Sequence, residues 1–225
     1  MIAPDVLAAT VVPLRDGPNG LEILMLRRNS KLAFGGMWVF PGGRVDPGDA
    51  PGLGDDEEEA VARRAAAREA IEEAGMILDP AELVAFSHWT PPDEAPRRFL
   101  TWFFLAPVRE AVDVVIDMGE IHDHGWLAPA DALRRRDAGE YELAPPTWVT
   151  LARLGASASV DAALDEARGR PVERFRTRIA TLDDTVVTLW AGDAGYESRD
   201  PTVAGPRNRL VLDPGGWRRE VTPAP

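Results

Sequence analysis

The chain has 225 residues, 45% of them apolar and none of them cysteine, and carries a formal net charge of -12. That is enough apolar content for one sizeable core, and the lack of cysteine excludes disulfide scaffolds, thiol catalysis and thiolate zinc sites. The acidic balance, unopposed by any basic stripe, argues against a nucleic-acid partner, whereas small phosphorylated ligands stay compatible because bound divalent cations reverse the local sign of charge.

In chain order, residues 6–14 (V-L-A-A-T-V-V-P-L) and 21–26 (L-E-I-L-M-L) predict two paired strands around the polar turn R-D-G-P-N-G. A loop with Gly35 and Gly36 leads into M-W-V-F, which stops at Pro41-Gly42-Gly43, where backbone can come close to another group. From about Asp55 to Ala74 strong helix formers predict a helix, with acids in its first turns and Gly75 in the C′ position. Further strands are predicted at 82–90 and 98–106, joined by the loop P-P-D-E-A-P, with a weaker one at 112–117 and a short one ending at Gly125-Trp126-Leu127. Helices follow at 129–137 and 145–154, the second opening on Pro145 and Pro146. After about residue 171 the pattern returns to short strands, R-F-R-T-R-I-A-T, T-V-V-T-L-W and N-R-L-V-L. The expected organisation is a main domain over 1–155 and an extension over 156–225 that docks on it or on a second subunit, which leaves a homodimer open. No basic start precedes a cleavable apolar stretch, and no apolar run approaches the ~18 residues of a membrane span, so a cytoplasmic protein without membrane contact is expected.

The stretch R-E-A-I-E-E-A-G at 68–75 gathers three carboxylates into two helical turns. Residues three and four apart share a helix face, so Glu69, Glu72 and Glu73 fall in one patch whose mutual repulsion a cation would relieve. Mg²⁺ and Mn²⁺ prefer such oxygen ligands, completed by water and phosphate oxygens, and Arg68 can brace one carboxylate through a bidentate contact. Taken alone the helix supports two readings, a cation site or a solvated face of ordinary i, i+4 charges. The run Glu57-Glu58-Glu59 reads as a solvated first turn.

With F-P-G-G-R-V-D-P-G-D at 40–49 ahead of it, the sequence resembles the Nudix hydrolase family. That family's box is G-x5-E-x7-R-E-U-x-E-E-x-G-U, with U an aliphatic residue, and Arg68, Glu69, Ala70, Glu72, Glu73, Gly75 and Met76 fall on its second half. Counting back without a gap puts Gly54 on the box glycine and Ala60 on its glutamate. Anchoring on Pro41-Gly42-Gly43 makes Gly43 the box glycine and Asp49 the acidic position, with an insertion of 11 residues before the helix. The second alignment keeps an acid and a strand-to-loop Gly-Gly, and is preferred.

The resemblance implies an α/β fold, an α/β/α sandwich with a mixed central sheet and here a β-rich C-terminal extension. It implies a pyrophosphohydrolase that uses Mg²⁺ or Mn²⁺ to cleave a small nucleoside-diphosphate-linked substrate. By carry-over, Glu69, Glu72, Glu73 and the Gly42 carbonyl hold metal, Glu69 is also a candidate base, Arg68 supports catalysis, and Glu120 is the candidate carboxylate outside the box. Within the family, F-P-G-G-x-x-D-x-x-D together with 96–106 and 143–154 is similar to the branch that cleaves coenzyme A and its thioesters to 3′,5′-ADP and phosphopantetheine. Arg27, with Gly36, matches that branch's upstream signature, while Leu32 stands where a second arginine is expected. Arg27 and Gly43 are then expected at the substrate, and Arg97 and Arg98 are expected either at its 3′-phosphate or paired with Asp93 or Glu94. Trp89, Trp102 and Phe103 either stack a base or belong to the core. His88, His122 and His124 are too scattered for a metal site. ADP-ribose, NADH or a nucleotide sugar as substrate, and a non-catalytic nucleotide-binding module, are the alternatives.

Overall fold

A computed structural model describes residues 5–29, 35–50, 57–110 and 112–222. Its backbone is a strand β1 (Asp5–Gly17) whose burial on both faces suits a central position in a covered sheet. It turns directly into the antiparallel β2 (Gly20–Arg28) and pairs in parallel with β6 (Arg98–Pro107), from Asp5↔Arg98 to Leu14↔Pro107. Around them lie β3 (Trp38–Val39), β4 (Gly42–Arg44), β5 (Val84–Thr90), β7 (Ile121–Leu127) and β8 (Glu173–Arg176). The main path runs β3-β2-β1-β6-β5-β8, with β4 on β1 and β7 on β2, so the sheet is mixed.

One face of the sheet carries α1 (Glu58–Ala74), which lays Ala62, Ala65, Ala66, Ala70 and Ala74 on Ala9, Val11, Leu24 and Phe104. Alanine at those positions lets the helix axis come close to the strands, and this close approach is what brings its carboxylates to the β4 loop. Gly75 ends α1 in the left-handed region at φ 66°, where a Cβ is disfavoured. The opposite face carries α2 (Pro129–Asp137), α3 (Pro145–Leu154) and α4 (Val160–Arg168). The result is the expected α/β/α layering with a mixed central sheet.

The expectations differ from the structure in two places. Residues 112–117 form no strand; Val115 donates to the Ala74 carbonyl at 3.0 Å, which ties the segment to the end of α1 instead of a sheet edge. The helix α4 was not anticipated, although Ser159 caps it by accepting from the Ala162 amide. Residues 51–56, within the 11-residue insertion, and Leu32 lie outside the described residues.

The C-terminal segment is built into the same body. Strand β8 pairs in parallel with β5, adding to the main sheet, and the chain then forms an antiparallel sheet in the order β12-β11-β10-β9: β9 (Arg178–Leu182), β10 (Thr185–Leu189), β11 (Asn208–Asp213) and β12 (Gly216–Val221). Phe175 stacks on Trp89 with ring centroids 3.9 Å apart, and Trp190 meets both rings edge-on. Trp89, Trp102 and Phe103 are all buried in the core, so they do not offer a face to a base. Arg209 forks onto Asp193 through 2.6 and 2.7 Å bonds with both side chains buried, and Asp193 also accepts from the amides of Gly195 and Asn208. This network closes the long irregular loop between β10 and β11. Among the described residues no helix is long and apolar enough to cross a membrane.

Truncating Phe175 to alanine removes a ring shared by the two sheets and is expected to destabilise the protein by about 3–5 kcal/mol. Urea unfolding should then show one cooperative transition at lower midpoint. Two transitions, with that of the main sheet unmoved, would contradict the shared core.

Candidate active site

The site is assembled where β4, the turn after it and the second half of α1 meet. Gly42 pairs with Thr10 in β1, and a Cβ at Gly42 would lie 2.5 Å from the Ala9 carbonyl oxygen. A Cβ at Gly43 would lie 2.4 Å from Glu69 Oε1. Glycine is therefore required twice, once so that β4 can lie on β1 and once so that Glu69 can lie on β4. In this structure Gly43 acts by making room for Glu69.

Behind the loop, Pro47–Asp49 makes a 3-10 turn that buries Asp49. Its Oδ2 accepts from the Asp46 amide at 2.8 Å, and its two oxygens take Nε and Nη2 of Arg68, each at 3.1 Å. The same guanidinium donates through Nη1 to Glu69 Oε1 at 2.8 Å and Glu72 Oε2 at 2.9 Å, and through Nη2 to the Arg44 carbonyl at 2.9 Å. Asp49, the acidic residue of the preferred alignment, thus clamps Arg68. An aspartate reaches because the 3-10 turn carries it toward the helix. The burial cost of Arg68 is exceeded by its contacts with Asp49 and Glu69, which push its pKa above the ordinary arginine range.

Glu73, one turn beyond Glu69, is buried and accepts at Oε2 from the Gly42 amide at 2.9 Å. Among the described residues its ion-pair partner is Arg28, whose Nη2 stands 4.0 Å from Oε1. Burial pushes its carboxyl up to about 7, against the pull of the Gly42 amide and Arg28 and reinforced by the charges of Glu69 and Glu120. Glu69 is raised as well, again chiefly by burial. Glu120, in the turn before β7, receives Arg28 Nη2 at 2.8 Å and faces both of these carboxylates.

Glu69, Glu72, Glu73, Glu120 and Arg68 are thus brought together, with Gly42 and Gly43 against them. Sequence reasoning missed Arg28 and left Asp49 without a role. Arg27, its neighbour on β2, is exposed. Arg98 is not a free phosphate ligand: its side chain is buried and paired with Asp93 at 2.7 Å and Asp5 at 2.8 Å, the pairing alternative that the sequence left open. Arg97 is exposed in the β5–β6 loop, His88 is buried beside Trp102, and His122 and His124 are exposed on β7.

Five carboxylates here face two guanidiniums, and two of the five are held where burial disfavours their charge. An all-oxygen donor set with that excess of negative charge fits a hard divalent cation such as Mg²⁺ or Mn²⁺. Among the described residues no three ligating side chains converge into a formed metal cluster, and Glu69, Glu72, Glu73 and Glu120 each accept from a protein donor.

The electrostatics give a sign for the pH dependence of stability. The folded-state pKa of Glu73 lies above its ordinary value of 4.5, so the fold favours the protonated acid and loses stability as pH rises from about 4.5 through about 7. In chelator-treated protein, thermal unfolding should show this loss, Glu73→Gln should flatten it, and saturating Mg²⁺ should offset it. A Gln variant with the same pH slope as the parent would refute the assignment.

The fold agrees with comparisons against known proteins. The family model for the NUDIX domain matches residues 4–146. A Caenorhabditis elegans protein with the provisional name nudix hydrolase 7 is 29% identical over 235 residues, covering 86% of this chain and 77% of its own length. The acyl-coenzyme A diphosphatase NUDT19 of Homo sapiens is 32% identical over 116 residues, which are 49% of this chain and 31% of that protein. The crystal structure of a Nudix hydrolase from Alicyclobacillus acidocaldarius superposes with a TM-score of 0.67 at 25% identity, over 73% of this chain and 97% of its own. The chain therefore belongs to the Nudix family and is a hydrolase of phosphoric anhydrides.

Proposed function

We propose that the protein is a Mg²⁺- or Mn²⁺-dependent diphosphatase that cleaves coenzyme A or an acyl derivative to 3′,5′-ADP and (acyl-)phosphopantetheine. The observation that carries the metal-dependent part is the seating of Glu69 and Glu73 on the Gly42–Gly43 loop, with Arg68 fixed behind them by Asp49. The proposed ligands are Glu69, Glu72, Glu73 and the Gly42 carbonyl, with Glu120 as the carboxylate from outside the box. When bound, the divalent ions would neutralise the diphosphate and lower the pKa of the attacking water.

The rest of the chemistry is assigned to the chain itself. Arg68 fixes the rotamer of Glu69 by holding Oε1, which leaves Oε2 to take the proton of that water. The Gly42 amide orients Glu73 through Oε2 and so presents Oε1 to the site. Arg27 and Arg97, both exposed, are the proposed contacts to the substrate's phosphates. The choice of coenzyme A over other nucleoside diphosphates is supported by the F-P-G-G-R-V-D-P-G-D segment and by the identity shared with the human acyl-coenzyme A diphosphatase.

Incubation with Mg²⁺ and a panel of coenzyme A, acyl-coenzyme A, ADP-ribose, NADH and a nucleotide sugar should release 3′,5′-ADP from the first two. Turnover of ADP-ribose to AMP without turnover of coenzyme A would contradict the substrate. Glu73→Gln should reduce turnover by more than the ~10–100-fold typical of groups that only support a ligand, with the fold intact by circular dichroism. Full activity of that variant would contradict the metal assignment.

A further inference from the structure

Arg28 ends β2, and both of its backbone groups are fixed: its amide donates to the Met37 carbonyl and its carbonyl accepts from the Gly36 amide, each at 3.0 Å. The next residue secures the opposite wall of the site. The Asn29 amide donates to the Glu120 carbonyl at 2.7 Å and its side-chain amide to the Gly119 carbonyl at 3.1 Å. The Arg28 side chain, 20% exposed, therefore enters the site along a defined direction and places Nη2 between Glu120 at 2.8 Å and Glu73 at 4.0 Å. Its Nε is buried and has no hydrogen-bond partner among the described residues. Asp49 and the Arg44 carbonyl hold Arg68 by three bonds, so Arg68 is anchored to the scaffold. Among the described residues the ion-pair partners of Arg28 are two carboxylates of the cluster, and its Nε finds no acceptor. The two guanidiniums thus differ in kind: one is fixed to the protein, the other is held by the charge of the site.

We propose that Arg28 is a built-in counter-cation of this site, which competes with a divalent ion for Glu73 and Glu120 and yields its place when the ion binds. The inference rests on the reading of these carboxylates as a divalent-cation site. Two buried or facing carboxylates repel each other, and a cation held on the protein keeps them together while no ion is bound. The same positive charge opposes the ion that replaces it, so metal affinity is set below what the carboxylates alone would give. An incompletely satisfied guanidinium suits this role, since leaving its position breaks few bonds. Arg28 acts here as a positioning residue for Glu73 and Glu120.

The test is Mn²⁺ binding by calorimetry without substrate, together with thermal unfolding with and without Mn²⁺. Arg28→Met and Arg28→Gln, which remove the charge, should bind Mn²⁺ about tenfold tighter or more. They should also melt lower than the parent in chelator, with the difference shrinking in saturating Mn²⁺. Arg28→Lys keeps the charge and should bind Mn²⁺ like the parent. Unchanged or weaker Mn²⁺ binding by a folded neutral variant would overturn the proposal, as would a Lys variant shifted as far as the neutral ones. A parent protein that binds no Mn²⁺ would instead overturn the cation-site reading itself, which keeps the two failures apart.

Discussion

The site depends on one guanidinium. Arg68 is held from behind by both oxygens of a buried aspartate and by a backbone carbonyl, and from that anchored position it holds Glu69 and Glu72. A planar fork is needed, because a point-charge ammonium could not span Asp49 and Glu69 with fixed geometry. The interaction couples two parts of the chain that the 11-residue insertion separates: the turn after β4 and the second half of α1. Length can be added between them because their relative position is fixed by this contact and by the packing of α1 on β1 and β4.

Local structure supplies the remaining conditions. Small residues on α1 bring the helix against the sheet, and glycines at 42 and 43 remove the side chains that would keep β4 from β1 and Glu69 from β4. The approach buries carboxylates that water would otherwise solvate, and their raised proton affinity is the energetic result. Acids arranged in this way cost stability near neutral pH. The Gly42 amide, Arg28 and Arg68 limit that loss without removing it.

Much of this was legible in the sequence, for identifiable reasons. Helical periodicity places Glu69, Glu72 and Glu73 together whatever the rest of the fold, and Gly75 marks the end of that helix by its backbone freedom. Pro41-Gly42-Gly43 announces a close approach, though only the structure shows that Glu69 is the group approached. Asp49 was found by spacing alone; its partner stands 19 residues away across the insertion, and nothing local indicates the pairing. Arg28 was not legible, because two adjacent arginines on a strand point to opposite faces, and the register shift between Arg27 and Arg28 against β7 obscures which turns inward. Arg98 could be read either way because its partner Asp5 lies on a parallel neighbour strand, a contact that no local pattern encodes. The helix α4, no shorter than the predicted α2, was missed despite the Ser159 cap that opens it, and the segment at 112–117 was read as a strand from a composition that the end of α1 claims through a backbone bond.

The central claim is that the Asp49–Arg68 pair acts as one unit to present the carboxylates. It is tested most directly by a double-mutant cycle on Mn²⁺ affinity with Asp49→Asn, Arg68→Met and both together. If the pair is one unit, each single variant weakens Mn²⁺ binding and the double variant is little worse than Arg68→Met alone. Losses that simply add, or an Asp49→Asn variant that binds Mn²⁺ as tightly as the parent, would contradict it.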